Sequence, residues 1–153
     1  MKNIASDYLL FQLDSQNYAF PLNSVFTVIP SQSITELESS IDFFCGIIDY
    51  HGEILPVINL RKKFRLNDSE MKISDRFIIA ETDNGKIGFI VDAVDEIISV
   101  IPEEITESTT IFNGLSYVRL VNLETGIVML HDPEKILTEP DYIEMKRVLD
   151  AHN

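Results

Sequence analysis

Gly46-Ile47-Ile48-Asp49-Tyr50-His51-Gly52-Glu53-Ile54-Leu55-Pro56-Val57-Ile58-Asn59-Leu60-Arg61 places two short apolar segments on either side of a His-Gly pair. Gly46 to Tyr50 and Glu53 to Ile58 read as the arms of a β-hairpin, with Gly52 supplying the backbone freedom of a tight reversal. In the second arm Ile54, Leu55, Val57 and Ile58 load both faces, the pattern of a strand lying between two cores. Pro56 has no N–H and limits how far that strand can pair. Asn59 stands where a side-chain oxygen would cap the next turn.

The same grammar recurs on both sides of this hairpin. Tyr8 to Leu13 and Tyr18 to Leu22 flank Asp14-Ser15-Gln16-Asn17. Arg76 to Thr82 and Lys86 to Val91 flank Asp83-Asn84-Gly85, whose Asn-Gly pair accepts positive φ. Ser116 to Leu123 and Ile127 to Leu130 flank Glu124-Thr125-Gly126. Short Phe-, Ile-, Val- and Tyr-rich segments separated by turn residues predict a β-barrel or sandwich. Sliding the chain by 69 positions aligns Asp14 with Asp83, Phe20 with Phe89, Val25 with Val94 and Val28-Ile29 with Ile97-Ile98. A slide of 73 brings Ile47-Ile48 onto Leu120-Val121, Asn59 onto Asp132 and Phe64 onto Leu137. Alternating strands resemble one another on physical grounds alone, yet matches in this order read as a duplicated unit. The polar stretch Arg65 to Asp75 connects the copies, giving subdomains at roughly 8–64 and 76–137. Thr138-Glu139-Pro140-Asp141 then carries a helix-start signature, predicting a C-terminal helix over 140–151. Tyr142, Met145 and Leu149 form its apolar stripe, widened by Ile143 and Val148.

The chain has 153 residues, of which 45% are hydrophobic and 24% charged, enough for one compact unit or two small subdomains sharing a core. Twenty-five acidic residues against twelve basic ones give a net charge of −13, a field that repels nucleic acid and anionic membrane surfaces. No apolar run reaches the roughly 18 residues of a membrane span, and Met1 to Asp7 lacks a secretory signal pattern, so no direct membrane insertion is expected. A single cysteine, Cys45, excludes an internal disulfide and suits a reducing cytoplasm.

Catalytic chemistry finds little to work with. His51, His131 and His152 are the only histidines, and no nucleophile–base–acid set is visible among them. Cys45 between Phe44 and Gly46 reads as a small buried thiol. Successive strand residues point to opposite faces, so His131 and Asp132 are poorly placed to chelate one ion, and Asp132 is better read as a turn cap. The six glycines are scattered and form no phosphate cradle. No cofactor and no metal are expected; a small acidic β protein of this kind presents surfaces, edges and grooves to other proteins.

From Tyr8 to Leu137 the chain resembles the CheW family, the coupling proteins of bacterial chemotaxis. The resemblance is carried by Phe11-x-Leu13 with Tyr18-Ala19-Phe20-Pro21-Leu22, by the hairpin Gly46 to Arg61, by Gly88-Phe89-Ile90-Val91-Asp92-x-Val94, and by Asp132-x-x-Lys135-Ile136-Leu137. It implies a mainly β fold of two SH3-like five-stranded barrels packed together, with no enzymatic activity. The implied partners are a CheA-type histidine kinase and the cytoplasmic tip of a chemoreceptor, held in a groove by the first barrel. The kinase contacts carry no fixed motif to transfer. For the receptor groove the matching positions are Val25, Thr27, Ile48, Asp49 and His51. The family's usual Leu-Arg-Gly is here Tyr50-His51-Gly52, and the acid that usually partners the arginine is replaced by Thr27. Arginine is a permanently charged planar fork, which a histidine with a reference pKa of about 6.5 does not reproduce. Three readings of this exchange stay open: a Thr27–His51 hydrogen bond, a groove with a changed partner, or a plain exposed turn residue. Alternatives for the whole chain are a relative serving pilus motility or gene regulation, a binder or enzyme using the seam between barrels, and a self-assembling β protein.

Overall fold

The computed structural model describes residues 4–111 and 115–152; Met1 to Asn3, the start of the N-terminal stretch, lie outside them. The elements are β1 (Ser6–Leu13), β2 (Gln16–Pro21), β3 (Val25–Pro30), β4 (Thr35–Glu36), β5 (Phe44–Tyr50), β6 (Glu53–Asn59), α1 (Leu60–Lys63), β7 (Arg76–Thr82), β8 (Gly85–Val91), β9 (Ala93–Val100), β10 (Ile105–Ile111), β11 (Leu115–Leu123), β12 (Gly126–Leu130), α2 (Pro133–Ile136) and α3 (Glu139–His152). The four hairpins read from the sequence are β1–β2, β5–β6, β7–β8 and β11–β12. At the third, Gly85 alone takes positive φ (103°), without Asn84.

The strands form two six-stranded sheets, β10-β11-β12-β2-β1-β9 and β4-β5-β6-β8-β7-β3. Under the 69- and 73-residue offsets each strand of one has its counterpart at the same place in the other, so the duplication is written in the pairing itself. The parallel seams correspond as well: Leu130 pairs Ala19 in the first sheet, and Val57 pairs Gly88 in the second. The register shift between Leu9 and Phe11 has its mate between Val25 and Thr27.

Sheet membership does not follow the boundaries read from the repeat. The opening hairpin β1–β2 lies among strands of the second half, and β7–β8 among strands of the first, so the segments 8–64 and 76–137 each span both sheets. Alternation specifies which side chains face inward but not which neighbour a strand pairs with, and the neighbour is where the sequence reading went astray. Each sheet also has six strands rather than five, the additional pair being the counterparts β4 and β10.

Exchange of the hairpins puts them between three cores. Leu9, Phe11 and Leu13 of β1 and Ile78 and Ala80 of β7 enter a central cluster with Tyr18, Phe20, Ile87 and Phe89. The alternate residues Tyr8 and Leu10 pack with Val121, Val128 and Leu130 inside one sheet, and Phe77 and Ile79 with Ile48, Leu55 and Val57 inside the other. Hence β1 and β7 are apolar on both faces.

Two short helices fasten the exchanged hairpins. The Asn59 side chain accepts from Lys62 N–H (3.1 Å) and the Asp132 side chain from Glu134 N–H (3.0 Å), capping α1 and α2 at matching places. From α1, Arg61 grips Asp92 through Nε (3.3 Å) and Nη2 (2.6 Å), approaches Asp14 of the β1–β2 turn at 3.5 Å and donates to Asn67 O at 2.7 Å. Its repeat mate Glu134 accepts from Asp83 N–H in the β7–β8 turn at 2.9 Å. Arg61 and Asp92 belong to separate motifs of the sequence, and their role here is to bind each other. The Arg61 side chain is only 14% exposed, so Arg61→Ala should cost about 2–3 kcal/mol in urea unfolding, much of it from acids left facing one another. An unchanged midpoint would refute the clasp.

Helix α3 covers one side of the central cluster with Met145 and Val148 buried and Tyr142 and Leu149 partly so. Thr138 Oγ1 accepts from Asp141 N–H while Asp141 accepts from Thr138 N–H, a reciprocal cap of the kind its sequence signals. Glu144 accepts from Ser39 Oγ and Ser40 N–H, and pairs with Arg147. Arg147 first, and then Ser40 N–H, hold its carboxyl well below the usual range. Ile143, expected to widen the buried stripe, is instead 62% exposed.

Candidate functional site

The register shift in β3 falls at Phe26: Val25 pairs Ala80, Thr27 pairs Ile79, and Phe26 has no partner across the ladder. A residue in such a bulge turns away from the regular alternation, and Phe26 stands 47% exposed. Its ring meets Tyr50 edge-on at 6.2 Å, and Tyr50 meets His51 at 4.5 Å, so a line of three rings joins β3 to the β5–β6 turn. The Lys86 ammonium lies 4.5 Å from the centre of the Phe26 ring and 3.0 Å from Glu53 Oε1. That tie adds a cation–π contact to the edge-on contact Phe26 already makes with Tyr50.

The five residues read from sequence surround this patch unevenly. Val25 packs partly against the central cluster, Thr27 is half-buried on β3, and His51 is exposed at φ 53°. Asp49 is exposed and its Oδ1 accepts from Gly52 N–H at 2.7 Å, which shapes the turn. Ile48 is 3% exposed among Leu55, Phe77 and Ile79, supporting the surface from beneath. Among the described residues no hydrogen bond joins Thr27 to His51; the link between β3 and the turn runs through Phe26 and Tyr50. Phe26 escaped the sequence reading because an aromatic in an alternating strand reads as core, and only the bulge reverses that.

The other reactive side chains have structural surroundings. Burial pushes the Cys45 thiol up to about 11, away from the thiolate that nucleophilic chemistry needs. His131 stacks on Phe64 at 4.7 Å beside Tyr18, and burial pushes its pKa down to about 4. Unfolded histidine titrates near 6.5, so below that pH protons favour the unfolded chain. The contribution of neutral His131 is complete above about 6.5 and is lost as pH falls towards 4. Between pH 7.5 and pH 5 this should remove about 2 kcal/mol, a loss absent from His131→Phe. Parallel pH profiles for the two proteins would refute it. Among the described residues no group of three His, Cys, Asp or Glu side chains is placed to hold a metal ion.

The model of the CheW-like domain matches residues 7–141, nearly the whole chain. The chain belongs to the CheW-like family. It is 29% identical over 135 residues to the chemotaxis protein CheW of Thermotoga maritima, covering 87% of this chain and 88% of that one. To the CheW of Bacillus subtilis it is 26% identical over 132 residues, covering 84% and 85%. Among solved structures, the scaffolding protein TtCheW of Thermoanaerobacter tengcongensis superposes with a TM-score of 0.76 at 26% identity, covering 87% of this chain and 92% of that one. This CheW-like chain therefore shares its relatives' fold along nearly their whole length, and the sequence motifs that suggested the family lie within the match. No described helix is long and apolar enough to cross a membrane.

Proposed function

We propose that the chain is a non-catalytic cytoplasmic adaptor that couples a chemoreceptor tip to a CheA-type histidine kinase. The observation that carries this is the match to the scaffolding protein TtCheW over 87% of this chain and 92% of that one. The receptor-facing surface is the ring line Phe26–Tyr50–His51, flanked by Val25, Thr27 and Asp49 and backed by Ile48. Binding there rests on aromatic burial rather than on the charged fork usual in the family, because His51 and Thr27 stand where an arginine and an acid would.

Capture of a purified chemoreceptor tip fragment by the full chain tests the reading. Phe26→Ala should weaken capture about tenfold, the loss of one buried aromatic anchor. His51→Glu and Thr27→Arg should weaken it too, by setting a new charge beside the aromatic line. Unchanged capture by both charged variants rejects the groove assignment. The exchange of the arginine favours one second reading, service to a pathway other than swimming. Recovery of a pilus-motility or gene-regulatory kinase in its place would support that.

A further inference from the structure

The duplication shows what the fold itself requires at each place, because every position of one half has a mate in the other. Under the 73-residue offset Ile58 corresponds to His131 and Gly46 to Arg119. Ile58 is fully buried and pairs with Phe44, so β5 and β6 stay joined as far as the start of β5. The matching ladder between β11 and β12 ends at Leu120 and Met129, and His131 N–H donates instead to Ala19 O at 3.0 Å. Beyond that rung a cavity of about 270 Å³ opens, lined by the buried Leu130 and Ile136 and by Val118 and Met129. His131 and Arg119, the two polar replacements, both line it as well.

Neither replacement is what the fold needs. An imidazole held neutral by burial stands where an aliphatic side chain serves the other half, and among the described residues its ring makes no hydrogen bond. Its nitrogens are not shut off from water, so they stay within reach of the cavity. Arg119 Nε is shut off, lies 3.3 Å from Glu107 Oε2, and makes no hydrogen bond. Lys135 on α2 also lines the cavity, exposed and without an ion pair among the described residues. The lining acid, Asp132, has its Oδ1 engaged by Glu134 N–H at 3.0 Å.

We infer that this cavity binds a small organic acid, a monocarboxylate whose apolar body is one ring or a short branched chain. The carboxylate meets Lys135 and the outer edge of the Arg119 guanidinium, whose Nε faces Glu107, and a ring nitrogen of His131 donates to it. The body packs on Val118, Met129 and Leu130. Two cations against one carboxylate in the lining suit a single negative charge, and a net charge of −13 on the chain opposes a doubly charged phosphate. The volume lies below the roughly 300 Å³ at which pockets for drug-sized ligands begin, which sets the upper size. The site belongs to the other sheet from the ring line of Phe26 and Tyr50 and stands independently of the receptor-facing reading.

Benzoate is the probe, titrated into the full chain and followed through backbone amide signals by two-dimensional NMR, with neutral benzamide and inorganic phosphate alongside. Benzoate should shift the signals of Val118, Met129 and His131 saturably, with a dissociation constant of about 1 mM, and benzamide should bind about tenfold more weakly. Lys135→Gln should weaken benzoate binding about five- to tenfold, and His131→Phe should weaken it by a similar factor. Lys62→Gln, the same change at the mate of Lys135, should leave it unaltered. Both lysines are exposed, and unchanged thermal unfolding would confirm that these variants keep the fold, so the comparison between them decides even if His131→Phe is unstable. Equal binding of benzamide, a response still linear at about 20 mM, or equal losses from the two lysine variants would overturn the site. Tighter binding of phosphate than of benzoate would overturn the assignment of its ligand.

Discussion

Gly46→Ala should cost roughly 3–5 kcal/mol and abolish most folded protein at 37 °C. Gly46 sits at φ 146°, and a Cβ there would lie 2.0 Å from the carbonyl oxygen of Thr35. That oxygen is backbone, fixed by the pairing of β4 with β5 (Thr35 with Ile47, Glu36 with Gly46), so no side-chain rotation relieves the clash. The substitution must either expel β4 or distort β5. Gly52→Ala is the control: at φ 88°, with nothing within 4 Å of the methyl group it would gain, it carries backbone strain alone, about 1–2 kcal/mol. Unfolding free energies from urea titration that differ by less than about 1 kcal/mol between the two variants would show that β4 is dispensable.

Phe20→Ala should cost about 3–5 kcal/mol. Phe20 is fully buried, its ring edge-on to Phe11 at 4.7 Å and to Phe89 at 5.5 Å, and Phe89 is its own counterpart in the repeat. The hairpins meet at this pair, so the cavity opens in the seam between sheets rather than inside either one. Phe89→Ala should cost a similar amount, and the double variant less than the sum, because one cavity serves both deletions. Strict additivity in chemical denaturation would mean that the two rings are energetically separate.

Much of this architecture is legible in the chain. Hairpin arms, the cap residues Asn59 and Asp132 and the start of α3 all follow from short-range chemistry, which acts over a few residues and leaves its mark there, and the duplication shows by comparing one half of the chain with the other. What could not be read depends on distant neighbours. The exchange of β1–β2 and β7–β8 is a choice of partner, to which alternation is blind. Phe26 is exposed only because a bulge turns it, and Ile143 because α3 is rotated so that Met145 and Val148 face inward. At the candidate site the turn residues Asp49 and His51 were within reach of sequence reasoning. Tyr50 as the link between them and β3 was not, since a ring-to-ring contact across 24 positions has no local signature.

Strand exchange between copies also bears on valency. Two identical half-chains lending each other a hairpin would make a symmetric pair with two equivalent faces. In this chain the mate of Phe26 is Asp95, and the mates of Tyr50 and Lys86 are Leu123 and Asn17, so the aromatic line has no twin. Joining the copies into a single polypeptide leaves the aromatic line in one half alone, so the two halves turn unlike faces outward, as a molecule that joins two different partners needs.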